Sequence, residues 1–244
     1  MKRTSQHRIS ARLLAFVLVL VVFNPGIVPS AEAYNPAEFD ASNTITGAKV
    51  ITQGGTYLVT GTAAANSHSG LIRVETADPV ALILDGAEFT TGATGWSPLM
   101  IGTAKNGGNN ATPAEPVIKA NVTIILAAGS DNKFQCNSEA TPSPTRSAGI
   151  DVSFGSTLTI QSEEPYTNPG KLTAVGGFFG AGIGSGPNKQ CGTIIIESGI
   201  VEAESSSSTA RTGANSGVGI GGGGGESYNG GYRKGRRRWG SYNF

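Results

Sequence analysis

Thr157-Leu158-Thr159-Ile160 opens a block of sequence that ends near Gly186 and returns in the same order between Thr193 and Gly222. Each block contains three short segments with the composition of β-strands. The equivalent pairs are 157–160 with 193–196, 171–174 with 200–203, and 181–184 with 218–221. A unit this small cannot bury its own apolar face, so each copy has to be covered by the next one. The repeat therefore predicts an all-β chain built from stacked copies.

Weaker copies of the unit precede this block, and one aliphatic residue in each copy marks the same position. The spacings between these residues are 31, 42, 36 and 36, for Ile51, Leu82, Ile124, Ile160 and Ile196. Alternation within the segments predicts strands with one buried face. No amphipathic helix follows residue 33 to cover crossover connections, so we predict about five rungs of parallel strands in a three-sided coil. An antiparallel sandwich is the alternative, but it does not explain the recurring three-part order.

Three isoleucines break the alternation, because they fall on the outward side of their strands. They are Ile83, Ile125 and Ile195. Either a loop covers them or they form an apolar stripe on the surface.

The chain divides into three parts by composition. Residues 1–33 have a basic start, an apolar run from Leu13 to Phe23 and the small-x-small sequence Ala31-Glu32-Ala33, which predicts a cleaved signal peptide and secretion. A retained anchor is the alternative, but the apolar run is short for a membrane span. Residues 34–225 form the predicted β-domain, and residues 226–244 a basic, irregular tail. That tail is either a product of truncation or frame shift or a short polar cap.

The distribution of charge argues against one class of partner. Residues 34–225 carry 9 Lys and Arg against 15 Asp and Glu, a net charge of −6, whereas residues 226–244 carry 5 against 1. An acidic body argues against nucleic acid as the ligand.

The two cysteines of the chain, Cys136 and Cys191, invite a disulfide in an exported protein. Their predicted positions lie two rungs apart, farther than a disulfide reaches unless a loop moves.

A family resemblance rests on the order of motifs between Val50 and Leu126. The motifs are Gly-Gly-Thr-Tyr, Leu-Ile-Arg-Val, Ala-Leu-Ile-Leu-Asp-Gly-Ala and Asn-Val-Thr-Ile-Ile-Leu, followed later by Ala-Gly-Ile-Gly-Ser-Gly and Val-Gly-Ile-Gly-Gly-Gly. Residues 44–225 thereby resemble secreted bacterial parallel β-helix domains described as carbohydrate-binding, and the glycine-rich rungs of large bacterial cell-surface proteins. The resemblance implies a right-handed β-helix, a polysaccharide or cell-wall glycan as ligand, and bound calcium.

Candidate ligand-binding residues follow from the chemistry of sugar recognition, which uses flat aromatic rings with nearby hydrogen-bonding groups. The aromatic residues of the loops are Trp96, Tyr166, Phe178 and Phe179, of which we select the first three; packing at a corner is the alternative for each phenylalanine. Asp85 and Asp131 follow equivalent strands on adjacent rungs and are the candidate calcium ligands. The alternative for both is a solvated turn aspartate that bonds to its own backbone.

Catalysis is not predicted. The part after residue 33 contains one histidine, His68, which excludes sites built from two or three histidines. A calcium-dependent polysaccharide lyase needs a basic residue beside an acidic cluster, and the arginines Arg73, Arg146 and Arg211 are scattered. The sequence therefore predicts a polysaccharide-binding module without catalysis. The alternatives are a structural stalk or adhesin segment and, less favoured, the lyase.

Overall fold

A computed structural model describes residues 41–63, 71–92, 96–103, 118–136, 147–206 and 217–224. The predicted signal peptide, the predicted tail and His68 lie outside these residues. The described chain is all-β, with one short 3₁₀ turn at Ala41–Asn43 and no α-helix. It accordingly offers no helix of the length and apolarity needed to cross a membrane.

Fifteen strands are described, most of them three to six residues long. They are β1 (Thr44–Ile45), β2 (Lys49–Ile51), β3 (Gly55–Ala63), β4 (Ile72–Val74), β5 (Val80–Thr91), β6 (Leu99–Ile101), β7 (Asn121–Leu126), β8 (Asp131–Cys136), β9 (Ile150–Val152), β10 (Thr157–Ser162), β11 (Lys171–Gly176), β12 (Ile183–Gly184), β13 (Thr193–Ile196), β14 (Ile200–Ser205) and β15 (Ile220–Gly221).

The strands form two sheets, and all the strand pairs described within them are parallel. The larger sheet has the order β13-β10-β7-β5-β8-β11-β14, with β3 and β1 alongside β5. The smaller sheet has the order β15-β12-β9-β6-β4-β2. Strands that neighbour each other in space are therefore three elements apart in sequence over most of the chain, as the repeat predicts. The antiparallel sandwich is excluded.

The predicted column of aliphatic residues is confirmed from Leu82 onward. Leu82 lies in register with Ile124, Ile124 with Ile160, and Ile160 with Ile196. The first three of these side chains are fully buried. Strands β7, β8, β10 and β11 alternate strictly between buried positions and partly or fully exposed ones, because successive side chains of a strand point to opposite faces. The core consists of these stacked inward side chains.

The prediction for the first copy was wrong by one segment. Ile51 lies in register with Val74 in the smaller sheet, and the residue of β3 that lies in register with Leu82 is Tyr57. The reason is that β3 and β5 are longer than one segment, because each runs on around a corner. Glycines with positive φ make both corners, Gly61 at 78° and Gly86 at 64°. The two apolar segments around residues 50 and 58 show the same alternation, so the pattern alone did not separate them.

The two cysteines are free thiols. Cys136 is buried at the end of β8, and its Sγ donates a hydrogen bond to the carbonyl oxygen of Ala148 at 3.1 Å. Burial raises the pKa of this thiol to about 12. Cys191 is partly buried and forms an isolated antiparallel bridge with Ser153.

Candidate functional site

The outward side chains of β7, β10 and β13 form an uncharged surface. Thr157 stands between Asn121 and Thr193, and Thr159 between Thr123 and Ile195. Parallel strands in a sheet are about 4.8 Å apart, so these rows repeat at that interval. Next to them, Ile83 is buried and Ile125 packs against the small cluster of Leu58, Ile83 and Ala127. Ile83 is therefore covered, as the first alternative predicts, with Ile125 packed beside it, while Ile195 extends the threonine row.

The outward side chains of β8, β11 and β14 form a charged surface. Lys133 lies in register with Glu88, and Lys171 with Asp131. The Nζ of Lys171 is also 3.0 Å from Oε2 of Glu202. The hydrogen bond that Lys171 donates to Glu202 is the main reason that the pKa of Lys171 is raised, with the charge of Asp131 adding to it. Opposite charges thus alternate along this surface, a pattern that stabilises neighbouring strands.

Asp85 and Asp131, the predicted calcium ligands, do not form a metal site with the groups described. Asp85 lies at the corner inside β5 opposite Thr60, and Asp131 lies in register with Lys171. Within the described residues, no three His, Cys, Asp or Glu side chains come together to hold a metal. Calcium takes six to eight oxygen ligands. The two aspartates supply two carboxylates toward this number, and calcium binding through them stays a prediction.

Trp96 lies on the connection that leads into β6, separated from it by Ser97 and Pro98, and is partly exposed. The Arg73 guanidinium lies over its ring, with Cζ 5.6 Å from the ring centroid, which is a cation–π contact. Nη1 of Arg73 is 3.3 Å from Oε1 of Glu75, and both side chains keep part of their surface in solvent. We call Arg73, Glu75 and Trp96 the Trp96 patch. It combines an aromatic ring with hydrogen-bond donors and acceptors, and its formal charges cancel.

Backbone pairing explains why these three residues meet. Arg73 is the outward residue of β4, in register with Val50 on one side and Met100 of β6 on the other. Trp96 comes close to Arg73 because it lies on the connection that leads into β6, the strand that pairs with β4. Arg73 and Glu75 are two residues apart on an extended segment, so they share one face. Sequence reasoning selected Trp96 and missed its two partners, although the spacing of Arg73 and Glu75 beside a predicted strand was available as a signal.

The other two predicted aromatic residues do not join this patch. Tyr166 lies on the connection from β10 to β11 and is 96% exposed. Phe178 lies on the connection from β11 to β12 and is only 5% exposed. Its ring packs edge-to-face on that of Phe179, with the two ring centroids 4.0 Å apart. A ring so deeply buried offers no face to a sugar, so Phe178 is removed from the candidate site. The predicted alternative, packing at a corner, describes its position.

Comparison with protein-family models, with curated proteins and with solved structures finds no match.

Proposed function

We propose that this chain is an exported, right-handed, three-sided parallel β-helix that binds polysaccharide through the Trp96 patch and does not catalyse a reaction. The observation that carries the binding proposal is the contact between Arg73 and Trp96, with Glu75 at 3.3 Å from the same guanidinium. Such a group presents a ring face for sugar C–H groups together with donors and acceptors for hydroxyl groups.

The solenoid part of the proposal is supported by the pairing of strands. Successive members of each column pair in parallel with a preserved register from Leu82 to Ile196. Parallel strands that return to the same sheet are connected in a right-handed sense in nearly all proteins, which favours that hand.

Charge favours a neutral glycan. Arg73 is compensated by Glu75, and the body between residues 34 and 225 carries a net charge of −6. A polyanion such as pectate would be repelled by that body at low ionic strength. We therefore expect a neutral polysaccharide, with cellulose as the first ligand to test.

The test is retention of the exported protein on insoluble cellulose and on pectate, with and without a chelator. We expect retention on cellulose that does not respond to the chelator and falls on Trp96→Ala and on Arg73→Gln. Phe154→Ala is the matched control, because Phe154 is an exposed aromatic residue on another turn, 60% exposed. Equal unfolding midpoints for the variants establish that binding, and not folding, was changed.

Three other outcomes would replace this proposal. No retention on any glycan would leave a structural stalk or adhesin segment, the alternative that needs no ligand. Release of unsaturated oligosaccharides from pectate, detected as new ultraviolet absorbance, would establish a lyase. Loss of binding with the chelator alone would instead require a metal site that the described residues do not form.

A further inference from the structure

One end of the described coil has a core that its strands leave partly open. β13, β14 and β15 are outermost in their sheets. Ile194 of β13 is buried, but the other inward side chains of these strands are only partly buried, whereas the residues in register one rung earlier are fully buried. The partly buried residues are Ile196, Val201, Ala203 and Ile220, and their buried counterparts are Ile160, Leu172, Ala174 and Ile183.

The same edge is acidic. Residues 193–206 contain three glutamates, Glu197, Glu202 and Glu204, and no lysine or arginine. All three are exposed. Glu202 forms an ion pair with Lys171 of the preceding rung, so the neighbouring strand supplies a positive charge for one of the three glutamates. Whatever covers this edge should therefore be both apolar and basic.

The chain itself contains a segment of that composition, residues 226–244. It has five basic residues against one acidic residue, together with five aromatic residues: Tyr228, Tyr232, Trp239, Tyr242 and Phe244. The chain leaves β15 at this same end. Gly224 N–H donates to the Phe179 carbonyl at 2.8 Å, and Asn188 N–H donates to the Gly224 carbonyl at 3.1 Å. From there, twenty extended residues span up to roughly 66 Å, ample to cross a rung.

We infer that residues 226–244 cover the edge formed by β13 and β14 of their own chain. The basic side chains lie against Glu197, Glu202 and Glu204, and aromatic rings cover Ile196, Val201 and Ala203. Edge strands present backbone groups that otherwise invite pairing with other chains, so a covering segment also protects the stack from aggregation.

A second copy of the chain is the less suitable occupant. Pairing two copies edge to edge through β14 would bring Glu202 and Glu204 of one copy close to the same residues of the other. Like charges on adjacent strands are destabilising. Residues 226–244, by contrast, carry a net positive charge, which is opposite in sign to that of the edge.

Carbodiimide cross-linking of the purified full-length secreted protein tests this inference directly. The reagent joins an amine to a carboxylate with loss of water and adds no spacer, so it reports contact. Lys234 is the single lysine between residues 226 and 244. We expect chymotryptic peptides in which Lys234 is linked to Glu197, Glu202 or Glu204. These links should exceed those to Glu88 and Glu164, which are also exposed, and should disappear in Lys234→Arg.

A mixture of ¹⁴N- and ¹⁵N-labelled protein identifies the chain that supplies the tail. Links within one chain carry a single isotope, and that is the expected result. Links of mixed isotope would overturn the inference in favour of a second copy. Links that show no preference over Glu88 and Glu164, or no links at all, would overturn it as well.

Hydrogen exchange provides a measurement that does not depend on Lys234. In Arg236→Gln/Arg237→Gln, exchange of amides in 200–205 should rise roughly tenfold, as in the loss of a local protective contact. Amides in 131–136 should not change. Lys49→Gln/Lys119→Gln is the matched control, because it also removes two exposed positive charges. Unchanged exchange in 200–205 would contradict the inference.

Discussion

At the scale of single residues, the side chain of Asn132 connects three neighbouring strands, β5, β8 and β11. Its side chain is fully buried. Oδ1 accepts a hydrogen bond from Ala87 N–H at 3.0 Å, and Nδ2 donates to Ser130 Oγ at 2.8 Å and to the Lys171 carbonyl at 3.0 Å. A buried polar group of this kind is tolerated because its hydrogen-bonding capacity is satisfied.

Replacing Asn132 should therefore cost more than its size indicates. We expect Asn132→Ala to lower the free energy of unfolding by about 1–3 kcal/mol, since it leaves the Ala87 amide without this acceptor. Urea denaturation measures the change. Asn121→Ala is the control, because Asn121 is exposed on β7. Equal midpoints for the two variants would show that the connection of β5, β8 and β11 does not depend on this side chain.

Because Cys136 is buried, the free energy of unfolding should fall as the pH rises into the alkaline range. Desolvation raises the pKa of its thiol from an ordinary 9.0 to about 12 in the folded state. Both states keep the proton below pH 9. Between pH 9 and pH 12 the unfolded chain loses it while the folded chain keeps it, so folding becomes less favourable as pH rises.

We expect this thiol to reduce the free energy of unfolding by about 1.4 kcal/mol per pH unit above pH 9. The measurement is denaturation between pH 8 and pH 11 for Cys191→Ser and for Cys191→Ser/Cys136→Ala. The difference between the two curves isolates Cys136 from the lysines and tyrosines that titrate in the same range. Curves that stay parallel would refute the assignment.

At the scale of elements, the glycines of the isoleucine-glycine turns allow β12 and β15 to pack closely. Gly184 has a φ of 147° and lies in register with Gly221. A Cβ at Gly184 would overlap the carbonyl oxygen of Gly221. Gly86, at a φ of 64°, has open space around the same position. Both glycines have a positive φ, but only Gly184 also lacks room for a side chain, so comparing them distinguishes the cost of backbone strain from the cost of overpacking.

Alanine at the two positions should have unequal effects. We expect Gly86→Ala to cost about 1–2 kcal/mol, from backbone conformation alone. Gly184→Ala should cost about 3 kcal/mol or more, because overpacking is added to strain. Thermal and urea unfolding of the pair measure the difference. A larger loss at Gly86 than at Gly184 would contradict the role of close packing at the turn.

The extent to which sequence predicted these elements depended on the length of each segment. Strands β7, β8, β10 and β11 were predictable, because each is a short alternating run followed by a turn. β3 was not, because it continues around the corner at Gly61 with a register shift after Thr60. An alternating pattern does not indicate which side of a coil a strand occupies, and this is why Ile51 was placed one segment away.

The candidate site was predictable only in part. Trp96 could be selected because a large aromatic residue in a loop is costly unless it packs or binds. Its pairing with Arg73 depends on the alignment of β4 with β6 across the connection between them. Phe178 carried the same sequence signal as Trp96 and is buried on Phe179. Composition does not distinguish a ring that closes a corner from a ring that faces solvent.

At the scale of the whole molecule, stability should follow position along the stack. In the solenoid that we propose, a rung contacts mainly its neighbours, so an inner rung is covered on two sides and an outer one on one side. Ile160 and Ile196 are in register in the same column. Ile160 is fully buried and Ile196 only partly, so these identical residues differ in the number of neighbouring rungs that cover them.

We expect Ile160→Ala to lower the free energy of unfolding by about 2–5 kcal/mol, through lost burial and the cavity that remains. Ile196→Ala should cost less than half as much, because a rung packs against it on one side only and the covering that we infer from residues 226–244 adds less burial than a second rung. Urea denaturation compares the totals, and hydrogen exchange should show amides of β13 and β14 opening before those of β7 and β8. Equal losses at the two isoleucines, with uniform exchange along the stack, would mean that the chain unfolds as one unit and that its outer rung is as well covered as its centre.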